Sequence, residues 1–245
     1  MKIINSLLKA LLLLTALGYF IFAIVKVSRS PQEAICTGIE YQFVDTEQVR
    51  LIEQDDVNKL LGKHQISPKG KTLANIDVRY IEQLLSECPY IDTVNCYHTA
   101  SGKLHIRIKA LHPLLHVFAS NGDEFYVDNE GRIMPAGGRN VDLAVVTGHV
   151  TQEYAANHLV PLGRYLEEND YWNKLVEQIY IDQKGNVEII PRFAEQNILL
   201  GKPQNYVEKL ERVRSFYEKG MPKIGWNKYK TINAAYEGQI ICTKK

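Results

Sequence analysis

The chain has 245 residues, of which 45% are apolar and 23% charged, the proportions of an ordinary folded protein. Its 29 basic and 28 acidic residues leave a net charge of +1, so no general electrostatic field draws it to nucleic acid or to acidic surfaces. This length allows one large domain or two domains of roughly 100 residues each. Composition therefore excludes a disordered chain and a basic nucleic-acid-binding protein.

An apolar run near the N-terminus predicts a membrane anchor. Ala10–Val25 contains no charged residue, and its 16 residues are slightly fewer than the roughly 20 that cross a bilayer core. Lys9 and Lys26 flank the run, and their long side chains reach the interface, so we predict a transmembrane helix at residues 9–27. Residues 1–8 then form a tail and residues 28–35 a linker. No small-residue cleavage site follows the run, and the nearly balanced flanking charges leave the orientation open.

Residues 36–110 predict a compact α+β domain in the order β-α-α-β-β. Asp77 is a good N-cap for the second helix, whose apolar stripe of Ile81, Leu84, Leu85 and Cys88 ends before Pro89. Two helices in this order cover one face of a three-stranded sheet. The predicted elements are Cys36–Asp45, Asp55–Leu61, the helix after Asp77, Val94–His98 and Lys103–Ala110.

In residues 111–245 the pattern changes to short strands separated by turns that contain Gly and Asn. This pattern predicts a β-rich domain with packed helices. Helical spacing is confined to Glu153–Asn169 and Asn205–Glu218. The predicted strands are Leu114–Ala119, Phe125–Asp128, Arg132–Pro135, Val145–Gly148, Glu177–Asp182, Val187–Pro191 and Ile198–Leu200.

The C-terminus predicts a β-hairpin that ends the chain. Two β-prone runs, Lys230–Tyr236 and Gln239–Thr243, flank the turn residues Glu237 and Gly238. A strand that ends a hairpin leaves backbone N–H and C=O groups unpaired along one edge, which invites another strand to pair. Alternation places Ile240 and Cys242 on one face and Ile241 and Thr243 on the other.

Catalytic and metal-binding patterns are scarce, so no enzyme activity and no cofactor are predicted. Gly70-Lys71-Thr72 ends like a phosphate-binding loop, but Gln65 stands where that motif needs glycine. His112 and His116 have a metal-binding spacing for a helix, yet they lie in a strand-like segment and are better explained as solvated or capping histidines. The four cysteines Cys36, Cys88, Cys96 and Cys242 favour buried free thiols, with a Cys88–Cys96 disulfide as the alternative.

Several short motifs, in a fixed order along nearly the whole chain, resemble the FtsQ/DivIB bacterial cell-division proteins, in their Bacteroidetes-type version. The motifs are Pro89-Tyr90-Ile91, the Leu104–Ile108 strand followed by Pro113, Tyr126-Val127-Asp128-Asn129-Glu130-Gly131 with Met134-Pro135, Val145-Val146-Thr147-Gly148, Ile198-Leu199-Leu200-Gly201, Lys209-Leu210 and the closing segment from Trp226 to Ile241.

The resemblance implies an α+β chain with a single N-terminal transmembrane helix, a POTRA-like β-α-α-β-β domain at 36–110 and a β-rich domain with packed helices at 111–245. It implies a cytoplasmic tail at 1–8 and a periplasmic body in the bacterial inner membrane at the division site. It also implies FtsB/DivIC-like and FtsL-like partners bound by β-strand addition, without nucleic acid or a small-molecule substrate. The partner-binding residues it implies are Trp226, Tyr229, Ile232, Tyr236, Gln239, Ile240, Ile241, Cys242 and Thr243.

Two other functions remain open from sequence. One is a POTRA-type chaperone or assembly factor for outer-membrane proteins, although such proteins carry several units and a long barrel. The other is a membrane-anchored hydrolase with an unrecognised site. Whether Trp226 contacts a partner or caps the core is equally open.

Overall fold

The computed structural model describes residues 12–22, 34–44, 49–99, 101–193 and 196–245. Residues 12–22 form a helix whose apolar side chains are exposed. Within the described ranges no helix is both long and apolar enough to cross a membrane. Both ends of the predicted transmembrane helix at 9–27 lie outside the described residues, as do the predicted tail at 1–8 and most of the predicted linker at 28–35.

The chain divides into two compact units. The first contains the described residues up to Val44 together with Glu53–Lys109, and the second contains Val49–Ile52 together with Ala110–Lys245. Val49–Ile52 therefore group with the second unit, whereas the sequence placed them in the first. The order of elements in the first unit is the predicted β-α-α-β-β.

The first unit consists of β1 (Gly38–Phe43), α1 (Gln54–Lys63), α2 (Val78–Ser86), β2 (Ile91–His98) and β3 (Lys103–Ala110). Its sheet has the order β1-β3-β2, with β1 and β3 parallel. Asp77 caps α2 as predicted, because its carboxylate accepts a hydrogen bond of 3.0 Å from the Tyr80 N–H. Ile81, Leu84 and Leu85 are buried, so this helix packs its apolar stripe inward.

The second unit is built on a nine-stranded sheet with the order β12-β11-β10-β9-β8-β7-β4-β5-β6. β4, β7 and β8 are parallel, and β9 and β10 each reverse direction, so β10 points the same way as β8. The strands are β4 (Pro113–Ala119), β5 (Glu124–Asp128), β6 (Ile133–Pro135), β7 (Ala144–Gly148), β8 (Val176–Ile181), β9 (Val187–Pro191), β10 (Asn197–Gly201), β11 (Tyr229–Asn233) and β12 (Ile241–Lys244).

Helices follow two of the strands. After β7 come α3 (Gln152–Tyr154), a π-helix (Ala155–Leu159), α4 (Val160–Glu168) and α5 (Asp170–Leu175); after β10 come α6 (Tyr206–Lys219) and α7 (Met221–Ile224). The core lies between these helices and one face of the sheet, where Trp172, Ile179 and Leu210 are fully buried. Apolar burial on one sheet face is therefore what holds the second unit together.

The structure changes several of the predicted elements. The π-helix interrupts the helix predicted at Glu153–Asn169, and α5 and α7 were not predicted because each has six residues or fewer. His116 is neither solvated nor capping, because it is only 3% exposed in β4. Its ring stacks on that of Tyr126, and its Nε2 forms a 2.9 Å hydrogen bond with the Glu124 carboxylate. All four cysteines are free thiols, and burial raises the pKa of the Cys96 thiol to about 12.

Candidate partner-binding edge

The terminal hairpin forms one edge of the nine-stranded sheet. β11 pairs with β10 in parallel and with β12 antiparallel, and β12 is the last strand on that side. The loop between β11 and β12 spans residues 234–240, so it is longer than the turn predicted at Glu237 and Gly238. The outer edge of β12 therefore carries backbone groups that no strand of the described chain pairs with.

The hydrogen-bond pattern shows which backbone groups face outward. Lys245 donates its N–H to the Lys228 carbonyl, toward β11, and backbone direction alternates along an antiparallel pair. Thr243 and Ile241, which pair with Thr231 and Asn233, therefore also point toward β11. The N–H and C=O groups of Cys242 and Lys244 consequently face the open edge. Lys244, which the sequence analysis did not single out, belongs to the edge.

Side chains alternate across the same strand. Ile240 and Cys242 pack against the core, and burial raises the pKa of the Cys242 thiol. Ile241 is 47% exposed and Thr243 is exposed, both on the face away from the core. The predicted alternation is confirmed, and the structure adds which pair is available for contact.

The remaining predicted contact residues separate into exposed and buried groups. Tyr236 and Gln239 are exposed in the loop before β12, whereas Ile232 is fully buried in the core beside Cys242. Ile232 thus supports the hairpin from within and has no surface to offer a partner. Tyr229 is half-buried, and its ring lies 6.4 Å from that of Phe216 on α6.

Trp226 packs on the core and is also partly exposed, so it has features of both roles that the sequence left open. Its ring centroid lies 5.5 Å from that of Tyr217, a buried residue of α6, yet 47% of Trp226 remains exposed. Its backbone carbonyl accepts a hydrogen bond from the side chain of Gln196, which is 1% exposed. One face of the indole therefore packs on the core while the rest reaches solvent close to β11.

Arg212 on α6 holds the loop that leads into β12. Its guanidinium donates 3.0 Å hydrogen bonds to the carbonyls of Ala234 and Tyr236, and it also donates to the Glu208 carboxylate at 2.8 Å. Sequence reasoning missed this role, because a Glu and an Arg four residues apart on a helix usually form a solvated surface pair. Only the fold places the hairpin loop beside that pair.

Comparison with known families identifies both units. The family model described as "FtsQ/DivIB, C-terminal related" matches residues 112–243, which is more than half of the chain and includes β11 and β12 as far as Thr243. The chain belongs to the FtsQ/DivIB C-terminal related family. The model of a POTRA-like domain matches residues 34–109, in agreement with the predicted β-α-α-β-β domain. No curated protein matches the chain. Membership in the FtsQ/DivIB-related family indicates a role in bacterial cell division.

Proposed function

We propose that this FtsQ/DivIB-type chain is a non-enzymatic, single-pass inner-membrane protein of the divisome. Its β12 edge receives a β-strand from an FtsB/DivIC-like partner, and an FtsL-like protein joins the same complex. The observation that carries this proposal is the unpaired outer edge of β12, a strand that the family model matches as far as Thr243.

Strand addition suits the geometry of this edge. Main-chain hydrogen bonds to Cys242 and Lys244 provide affinity, and the exposed side chains of Ile241 and Thr243 provide contacts that distinguish one partner from another. Ile240 and Cys242 stay packed in the core, so the partner reads only one face of the strand. Arg212 keeps the preceding loop in place, which lowers the conformational-entropy cost of binding a partner.

The membrane placement rests on the apolar run at Ala10–Val25. The helical part at residues 12–22 exposes its large side chains, with Leu13 at 71% and Phe20 at 65%. Such a continuous apolar surface is unfavourable in water and favourable in a bilayer. Family resemblance supports a cytoplasmic N-terminus, with the two folded units in the periplasm at the division site.

The partner edge is tested by Lys244→Pro in the full-length protein. Proline removes one outward N–H, while an edge strand tolerates proline because that N–H pairs with no neighbouring strand. Losing one main-chain hydrogen bond and the close packing around it should weaken binding of the partner about fivefold to tenfold. The measurement is quantitative co-purification with the FtsB/DivIC-like protein encoded in the same genome.

Lys244→Ala is the matched control, because it removes the same side chain and keeps the N–H. It should bind the partner like the unaltered protein. Equal binding by the proline and alanine variants, with unchanged circular dichroism spectra, would show that the partner does not pair with β12.

Depletion in cells tests the role itself. Loss of a divisome protein should give filamentous cells with unseparated septa, observed by microscopy. Envelope defects without filamentation would instead support the POTRA-type assembly factor and contradict the proposed role in division.

A further inference from the structure

A cavity of about 590 Å³ lies in the second unit, and its lining residues lie outside β12. The carboxyl ends of β7, β8 and β10 meet at one edge of the sheet because these strands point the same way. In open sheets flanked by helices, ligands bind in the crevice outside these carboxyl ends. The cavity is lined by His149, Thr151, Tyr154, His158, Asp182, Gln183, Lys184, Gly185, Lys202, Pro203 and Gln204.

The walls of the cavity are held by specific contacts. The His149 N–H donates to the Ile181 carbonyl at 2.9 Å, which ties the end of β7 to the end of β8. The Tyr154 hydroxyl donates to the Gly185 carbonyl at 2.9 Å across the cavity rim. His158 lies in the π-helix, a rare element that is frequent at functional sites, and its ring contacts that of Tyr154.

Three lysines are linked by hydrogen bonds beside the cavity. Lys209, which is 9% exposed, donates from its ammonium to the Lys202 carbonyl at 2.9 Å. The Lys202 ammonium in turn donates to the Lys184 carbonyl. Within the part of the chain that the structure describes, neither Lys184 nor Lys202 forms an ion pair with a carboxylate. Lys184 and Lys202 both line the cavity, and each ammonium still has hydrogen-bond donors available.

Asp182 is the one carboxylate among the lining residues, and it is already engaged. It accepts hydrogen bonds from the Asn186 N–H at 2.8 Å, the Asn186 side chain at 2.8 Å and the Lys184 N–H at 2.7 Å. These bonds hold the pKa of Asp182 below its usual range, so it stays ionised and stabilises its own turn. One carboxylate against two ammonium groups leaves the cavity with a positive excess.

We propose that this cavity binds a small oxyanion ligand, one that carries a carboxylate or a phosphate group. The ammonium groups of Lys184 and Lys202 would bind the anionic oxygens, and the imidazoles of His149 and His158 and the hydroxyl of Thr151 would supply further polar contacts. The volume falls in the range of about 300–1,000 Å³ typical of small-molecule sites. This site is independent of strand addition at β12.

The test is calorimetric titration of the full-length protein in a neutral detergent at constant ionic strength. The probes are sodium phosphate, sodium citrate and glucose as a neutral compound. Lys184→Met removes an ammonium that forms no hydrogen bond or ion pair within the described chain, so the fold should be preserved. If Lys184 binds the anion, affinity should fall about tenfold or more, the usual effect of losing one charge-assisted hydrogen bond.

Lys219→Met is the control for general electrostatics. Lys219 ends α6, whereas the cavity lies at the start of that helix, roughly 20 Å away along its axis. Saturable binding of an anion that Lys184→Met weakens and Lys219→Met leaves unchanged would support the site. The tighter of the two anions then identifies the oxyanion as phosphate or carboxylate.

Four results would overturn the proposal, three of them with the small probes. These three are no heat of binding with either anion at millimolar concentration, equal weakening by both lysine variants, and binding of glucose as tight as that of the anions. A hexaglutamate peptide that binds through Lys184 when neither small anion does would also overturn it, because the ligand would then be an acidic protein segment. None of these results bears on partner binding at β12.

Discussion

At the scale of single residues, two glycines with similar backbone conformation differ in what surrounds them. Gly148 has φ +101°, and a Cβ at this position would lie 2.1 Å from the Ile181 carbonyl oxygen. Gly122 has φ +91° in a turn, with no atom within 4 Å of its Cβ position. Both positions disfavour other residues through backbone strain, but only Gly148 adds a steric collision with the neighbouring strand.

Gly148→Ala should therefore destabilise the protein more than Gly122→Ala. Strain alone costs about 1–3 kcal/mol, and the collision at Gly148 requires β7 and β8 to separate in addition. Urea denaturation of both variants measures the difference in the free energy of unfolding. Equal losses would mean that β7 and β8 approach each other less closely than the structure shows.

Arg212 also acts at this scale, through its two hydrogen bonds to the hairpin loop. Arg212→Gln should loosen that loop and raise the amide hydrogen-exchange rates of residues 235–240 about tenfold, since bonds from a charged donor contribute about 1.5–3 kcal/mol. Arg214→Gln is the control, because Arg214 pairs with Glu218 and contacts Tyr171 instead. Unchanged exchange in Arg212→Gln would show that other contacts hold the loop.

At the scale of secondary-structure elements, the apolar side chains predicted to form the inner face of α2 are buried. Leu85 is fully buried on that helix, whereas Gln83 is exposed two residues earlier. A helix of nine residues has little stability of its own, so its packing against the sheet decides whether it forms. The stability of the first unit therefore depends on a few buried apolar side chains.

Leu85→Ala should cost about 2–5 kcal/mol, because it leaves a cavity that the surrounding side chains fill only in part. Gln83→Ala removes a similar number of atoms from the exposed face and should stay within about 0.5 kcal/mol of the unaltered protein. Thermal unfolding measures both effects. A Leu85→Ala variant as stable as Gln83→Ala would show that α2 does not pack as described.

At the scale of the whole molecule, the prediction to test is the membrane topology. From the apolar run at Ala10–Val25 and the family resemblance, we propose that residues 28–245 lie in the periplasm. A reporter that folds only in the periplasm, fused after Lys245, should be active in cells. Activity of a cytoplasm-specific reporter at the same point would reverse the proposed orientation.

Local patterns in the sequence determined most elements of both units. Lys103–Ala110 and Val187–Pro191 have the predicted bounds, because alternating or continuous apolar residues between turns define such strands without reference to other segments. The helix cap at Asp77 and the terminal hairpin were predictable for the same reason. The family resemblance, confirmed for both units, also rested on sequence motifs alone.

Only the tertiary structure decided which groups are exposed at the candidate site. Ile232 and Ile241 are both isoleucines in β-strands, yet Ile232 is fully buried and Ile241 is 47% exposed. The reason is that Ile232 lies on the sheet face that packs on the core and Ile241 on the opposite face. Likewise, Arg212, Gln196 and Lys202 meet their partners across 18 or more residues of sequence. Strand order and helix packing set these contacts, and periodicity within one segment carries no information about them.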